Sequence, residues 1–227
     1  MNNVYKIIIV FLVFLLSIHS IIAQNDNSIL PPKNIKSLVL KPIKPNSYAP
    51  IIKLGESLEL SFDDIDGNER IYSYKIEHCD YNWQSSNLSS TEFMTGFETD
   101  RIRDYENSFN TLQFYTHYRL KIPNKNNRIK ISGNYIISIL DDNNQVIFTR
   151  KFIIYQDKVV VGVTAHRSSD PKSIKEKQNV QFVINHQNLL LNNPNEEIKV
   201  DVYQNSDWNS VIKNLKPKYI RGAQLLY

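Results

Sequence analysis

The sequence predicts an all-β chain: an immunoglobulin-like β-sandwich with a long ordered aromatic loop, followed by the start of a second β-sandwich. Three observations predict it. Short segments of period-two alternation, rich in β-branched and aromatic side chains, recur along the chain. Turn-forming clusters separate them, and few stretches sustain the period of a helix.

The chain opens with the three-part pattern of a secretory signal. Lys6 precedes an apolar run from Ile7 to Ile18, and Ile21-Ile22-Ala23-Gln24 offers a cleavage point after Ala23. The run is about 12 residues, whereas a membrane-crossing helix takes about 20, and Ser17, His19 and Ser20 interrupt its far end. Residues 1–23 are therefore expected to be removed on export, leaving no span, and the residue directly after the cleavage point is Gln24, not a Cys that could carry a lipid. Residues 24–34, polar and containing Pro31-Pro32, read as a flexible leader.

Residues 35–156 carry the first domain. Its clearest strands run from Ile35 to Leu40, Ser57 to Phe62, Ile71 to His78, His117 to Ile122, Asn134 to Leu140 and Gln145 to Tyr155. Asp66-Gly67-Asn68, Pro123 to Asn127 and Asp141 to Asn144 sit between them as turns. The segments from Tyr135 to Leu140 and from Val146 to Tyr155 read as a hairpin. Regular strands with such turns are the pattern of a sandwich. After Gln156-Asp157-Lys158 a second series begins, with strands expected from Val159 to Ala165, Asn179 to Asn185, Glu197 to Tyr203 and Tyr219 to Leu226. The last still has strand character at Tyr227, so the second domain, 157–227, is expected to be incomplete.

Between Cys79 and His117 lie more than 30 residues, well past the length at which structureless loops are common in compact domains. Trp83, Phe93, Phe97, Tyr105, Phe109, Phe114 and Tyr115 give the stretch too many rings for disorder. Ser89-Ser90-Thr91-Glu92 has the form of a capping box, opening a short helix on which Phe93 and Phe97 would share a face. Most rings are expected to pack the loop onto its sandwich; some are free to project as docking anchors. Trp83, Phe93, Phe97, Tyr105, Phe109 and Tyr115 are the candidates for one role or the other. Trp83→Ala is expected to lower folding stability by about 3–5 kcal/mol if the ring is fully buried.

Bulk charge excludes some partners. With 27 basic and 23 acidic side chains the formal charge is only +4, and the charges are scattered, so nothing calls for nucleic acid or an anionic lipid surface. The single Cys79 cannot close an intramolecular disulfide. His78, Cys79, Asp80 and His117 have metal-ligating chemistry, but neighbours on a strand point to opposite faces, so a buried structural Cys79 is the expectation. No oxyanion element accompanies the cysteine, and the six glycines do not form a phosphate loop. Asp63, Asp64, Asp66 and Glu69 lack the downstream Glu of a calcium loop and read as an exposed turn. Arg101 and Arg103 beside Asp100 and Asp104 either pin the loop or face water. No catalytic site, metal, cofactor or small-molecule substrate is expected.

The ordered residues Tyr72 to Asp80, Asn82-Trp83, Glu92 to Phe97, Ile102, Asp104-Tyr105 and Ser108 to Thr111 resemble one family. So do Tyr115 to Tyr118, Pro123-Asn124, Ser132 to Tyr135 and Thr149 to Phe152. It is the type IX secretion system plug protein family of Bacteroidetes, and the similarity runs through about residues 35 to 155. The resemblance implies a non-enzymatic periplasmic subunit, held at the outer membrane through the translocon barrel whose periplasmic mouth it closes. Members of the family run on through further β domains. The alternative is an exported carbohydrate-binding or accessory module that stacks sugars on Trp83 and neighbouring tyrosines.

Overall fold

The computed structural model describes residues 28–227; the expected signal segment and the first residues of the leader lie outside the described residues. Fifteen strands follow in order: β1 Ile35–Pro42, β2 Ile51–Lys53, β3 Leu58–Asp64, β4 Ser73–Cys79, β5 Met94–Gly96, β6 Thr99–Arg101, β7 Asp104–Asn107, β8 Thr116–Ile122, β9 Asn127–Ile129, β10 Gly133–Leu140, β11 Val146–Tyr155, β12 Val160–Arg167, β13 Gln178–Asn185, β14 Tyr219–Arg221 and β15 Gln224–Leu226. Two single helical turns, α1 Ser90–Phe93 and α2 Pro194–Glu197, interrupt them. The chain is all-β, and among the described residues no helix is long and apolar enough to cross a membrane.

The first domain is a sandwich of two sheets, ordered β1-β3-β8-β7 and β2-β11-β10-β4-β6. Alternation builds it: Leu58, Leu60 and Phe62 of β3 and Tyr118, Leu120 and Ile122 of β8 are buried, with half-exposed or exposed residues between them. They meet Tyr74 and Ile76 of β4, Tyr135, Ile137 and Ile139 of β10, and Phe148 and Phe152 of β11 in one core. Phe62 stacks on its cross-strand partner Tyr118 at 5.1 Å and meets Phe148 of the opposite sheet edge-on at 5.3 Å, so an aromatic pair bridges the sheets. The hairpin of β10 and β11 is present in antiparallel register. Ile29 exchanges backbone and hydroxyl hydrogen bonds with Thr149, so the described end of the leader is tied to β11.

One strand departs from alternation. From Tyr135 onward β10 is buried at every residue; its outward-facing Ile136 lies under Trp83, with Trp208 packed against the same cluster.

The region after Lys158 holds one four-stranded sheet, β12-β13-β15-β14, around Phe182, Ile184 and Leu225. Two strand expectations fail here. The segment expected as a strand from Glu197 to Tyr203 makes only an isolated bridge, Val202 to Ile212, because its Asn- and Asp-rich surroundings turn the chain. The segment from Tyr219 to Leu226 is a hairpin rather than one strand, folded at Gly222 with φ +56°.

Candidate interaction surface

The 80–115 excursion begins at a turn built on Asp80. Its carboxylate accepts from the backbone N–H groups of Asn82 and Gln84 at 2.8 and 2.9 Å, which holds Trp83 at φ +66°. That conformation is uncommon for a bulky residue, and it turns the indole onto the outer face of the second sheet. There Trp83 is 7% exposed, packed on Cys79 and Ile136, with the Lys151 ammonium 5.1 Å from its ring. Trp208 meets it edge-on at 5.0 Å, and the Trp83 indole N–H donates to the Tyr203 hydroxyl. Trp83 thus joins the first domain to the region that follows it.

The Ser89 capping box forms: the Glu92 carboxylate accepts the Ser89 backbone N–H at 2.7 Å. Phe93 and Phe97 do not share a helix face, since α1 ends at Phe93 and the chain passes straight into β5, pairing with β9. Phe93 enters the core 6.1 Å from Tyr135, while Phe97 is left 67% exposed. Gly96, at φ +97°, is required here, because a Cβ would lie 1.9 Å from the Asn126 carbonyl oxygen. The chain then crosses between sheets: β6 pairs with β4, β7 pairs with β8, and Ile102 between them is buried. Arg103 clamps Asp100 through two hydrogen bonds of 3.0 and 2.8 Å. Led by this contact, the surroundings hold the Asp100 carboxyl down to about 2. Arg119 pairs with Asp104 and Glu106 at 3.4 Å.

After β7 most apolar side chains face water. Phe109 is 92% exposed, Leu112 fully so, and Phe114 largely so. This tip is nevertheless ordered by its own bonds. Ser108 N–H donates to the Tyr115 carbonyl, Tyr115 N–H to the Ser108 hydroxyl, and the Gln113 amide to the Ile65 carbonyl, at 2.8–2.9 Å. Tyr105 and Asn107 both donate to Glu69. Tyr115 is half-buried and, with Phe109, Asp63, Glu106 and His117, lines a cleft of about 380 Å3.

The turn beneath the tip corrects an expectation. Asp64 is not part of an exposed turn; it is fully buried, because it continues the inward series Leu58, Leu60, Phe62. It accepts from Tyr72 at 2.8 Å, Asn34 at 2.9 Å and the Asp66 N–H at 3.2 Å, with the Arg70 guanidinium 3.6 Å away. Burial, and then the bond to Asp64, pushes the Tyr72 phenol up. The Arg70 backbone is pinned in turn by the Tyr118 hydroxyl, at 2.8 and 3.0 Å.

Of the tempting metal ligands, Cys79 lies in the Trp83 cluster, where burial foremost pushes its thiol up to about 11. His78 faces the other way against Tyr135, and His117 binds Asp63 in the other sheet. The three are not assembled.

The fold is a two-layer β-sandwich whose edge is closed by one long anchored excursion ending in an apolar tip, which places the chain in the class of β-sandwich proteins; among the described residues no group of three or more His, Cys, Asp or Glu side chains is gathered as a metal site. Residues 35–156 match the model of the type 9 secretion system plug protein first domain, and the chain belongs to that family. A crystal structure of a hypothetical protein from Parabacteroides merdae ATCC 43184 is similar, at 31% identity and a TM-score of 0.82 over 88% of this chain. The chain spans about half, 51%, of that protein's length. Pseudomonas fluorescens alkylpurine DNA glycosylase AlkC, bound to DNA containing an abasic site analog, matches over 54% of this chain and 30% of its own. Its 15% identity and TM-score of 0.29 carry no argument. A search of curated proteins found no match.

Proposed function

We propose that this protein is a non-enzymatic periplasmic subunit that binds the outer-membrane translocon barrel of the type IX secretion system and occludes its periplasmic mouth. Family membership supports the reading. The observation that carries it is physical: a stiff sandwich holds an internally bonded loop with Phe109, Leu112 and Phe114 in water, and an ordered apolar projection is stabilised by burial against a partner. Closing a wide lumen needs such a preformed body rather than a reactive centre.

The test is conductance. The purified barrel in a planar bilayer should conduct, and adding this protein to the periplasmic side should close it; undiminished current, with no co-purification of the two in mild detergent, refutes the proposal. The sugar-binding alternative is less well supported at Trp83, whose ring is covered by Trp208 and Tyr203.

A further inference from the structure

The apolar tip stands on an acidic base. Segments 63–70 and 104–119 build this end of the sandwich, and they carry six carboxylates, Asp63, Asp64, Asp66, Glu69, Asp104 and Glu106, against the guanidiniums of Arg70 and Arg119. The rest of the chain is the more basic for it, since the whole carries +4. Lys36 stands opposite Asp63 on the far side of β3 from β8. From Ser108 to Thr116 there is no charged residue. The cleft beneath Phe109 therefore has aromatic walls, Phe109 and Tyr115, and carboxylates at Asp63 and Glu106. Asp63 is engaged by His117 Nδ1 at 2.5 Å, while Glu106 lies 3.4 Å from the Arg119 guanidinium and is largely exposed. A ring face beside a carboxylate is the setting that holds a guanidinium or ammonium group, through cation–π attraction and a charged hydrogen bond.

We infer that the 108–115 tip and its cleft form the docking surface for a protein segment that presents an arginine or lysine flanked by apolar side chains. This inference rests on the plug reading and places that segment on the periplasmic rim of the barrel. Phe109 and Leu112 supply the apolar anchors, and Glu106 takes the cation. The acidic base disfavours the other apolar occupant, a bilayer carrying anionic lipid, because like charge is repelled from that surface. It also steers association with a basic partner, which makes binding salt-sensitive.

The experiment measures binding of the full chain to the immobilised barrel in detergent, with melting temperature as a folding control. Phe109→Ser with Leu112→Ser should weaken binding at least about 30-fold with unchanged melting, as for the loss of central anchors. Glu106→Lys should weaken it about 10-fold and flatten its salt dependence. A photo-crosslinking residue in place of Leu112 should give a barrel adduct in the otherwise intact protein. If the wild type binds and closes the barrel but the double variant binds equally well, the inference falls while the plug reading stands. It falls too if Glu106→Lys binds with unaltered affinity and salt dependence. Vesicles of three parts phosphatidylethanolamine to one of phosphatidylglycerol give the membrane arm: Leu112-dependent flotation, with barrel binding unaffected, overturns the protein partner. A wild type that never engages the barrel overturns both readings.

Discussion

The two halves of the 80–115 excursion are both rich in rings and mostly opposite in fate, with Phe97 of the first half exposed and Tyr115 of the second half-buried. The first half, to Arg103, sinks Trp83, Phe93, Met94 and Ile102 below 8% exposure, and the second leaves Phe109, Leu112 and Phe114 in water. Both are ordered, but by different physics. The first is held by apolar burial on three fronts: the sandwich core, the sheet edge and Trp208. The second is held by hydrogen bonds to its own backbone and to the 65–69 turn, which fix its shape without hiding its rings. Aromatic richness therefore marks a segment as non-disordered and does not say which side of the ring is wet.

The comparison breaks most readily at Trp83. Trp83→Ala should lower stability by about 3–5 kcal/mol in urea unfolding, as for a large ring removed from a packed site. The double-mutant cycle with Trp208→Ala should show coupling of about 1 kcal/mol, since the rings meet edge-on. Additive effects would mean that the joint between the two regions is not formed in solution. Asp64→Ala comes next, at about 3 kcal/mol, because it strips a buried network of its shared acceptor and leaves Tyr72 and Arg70 without compensation. A loss under 1 kcal/mol would show that water replaces the carboxylate and that the base of the tip is looser than its bonds suggest.

Much of the sandwich was legible because alternation is a local signal: β1, β3, β4, β8, β10, β11, β12 and β13 all fall where period-two runs predict. The three-residue strands β2, β5, β6 and β9 are too short to show a period, and four-residue β7 is water-exposed throughout. Phe93 and Phe97 misled because four-residue spacing implies a shared face only while a helix lasts. Asp64 could have been found: it keeps parity with Leu58, Leu60 and Phe62, and only its acidic neighbours made it look like turn. Trp83 could be singled out, but its partner could not, since Trp208 is brought to it by tertiary packing that leaves no local pattern.

A smaller effect sharpens the boundary between the halves, which falls just beyond the Asp100–Arg103 clamp. The folded-state carboxyl is held at about 2, below its ordinary 3.8, so the contribution is full above about pH 4 and is lost as pH falls through 2. Asp100→Asn should therefore cost about 1 kcal/mol at neutral pH, discounted because Arg103 is largely exposed. It should also flatten the stability profile between about pH 4 and pH 2. An unaltered acid limb would mean that other carboxylates carry it.

The smallest expected effect is the most diagnostic. Phe109→Ser and Leu112→Ser should each change stability by less than about 0.5 kcal/mol, because neither side chain leaves water on folding. Amide exchange should still be slow at Tyr115 and Ser108, whose N–H groups are bonded within the tip. Slow exchange with no stability cost is the signature of a surface whose order is supplied by hydrogen bonds and whose apolar side chains have no role in the fold. Such a surface keeps its shape before a partner arrives, so little ordering entropy is lost on docking. Rapid exchange through 108–115 would reverse this, making the tip a segment that orders only on contact and weakening whatever affinity its three apolar side chains can supply.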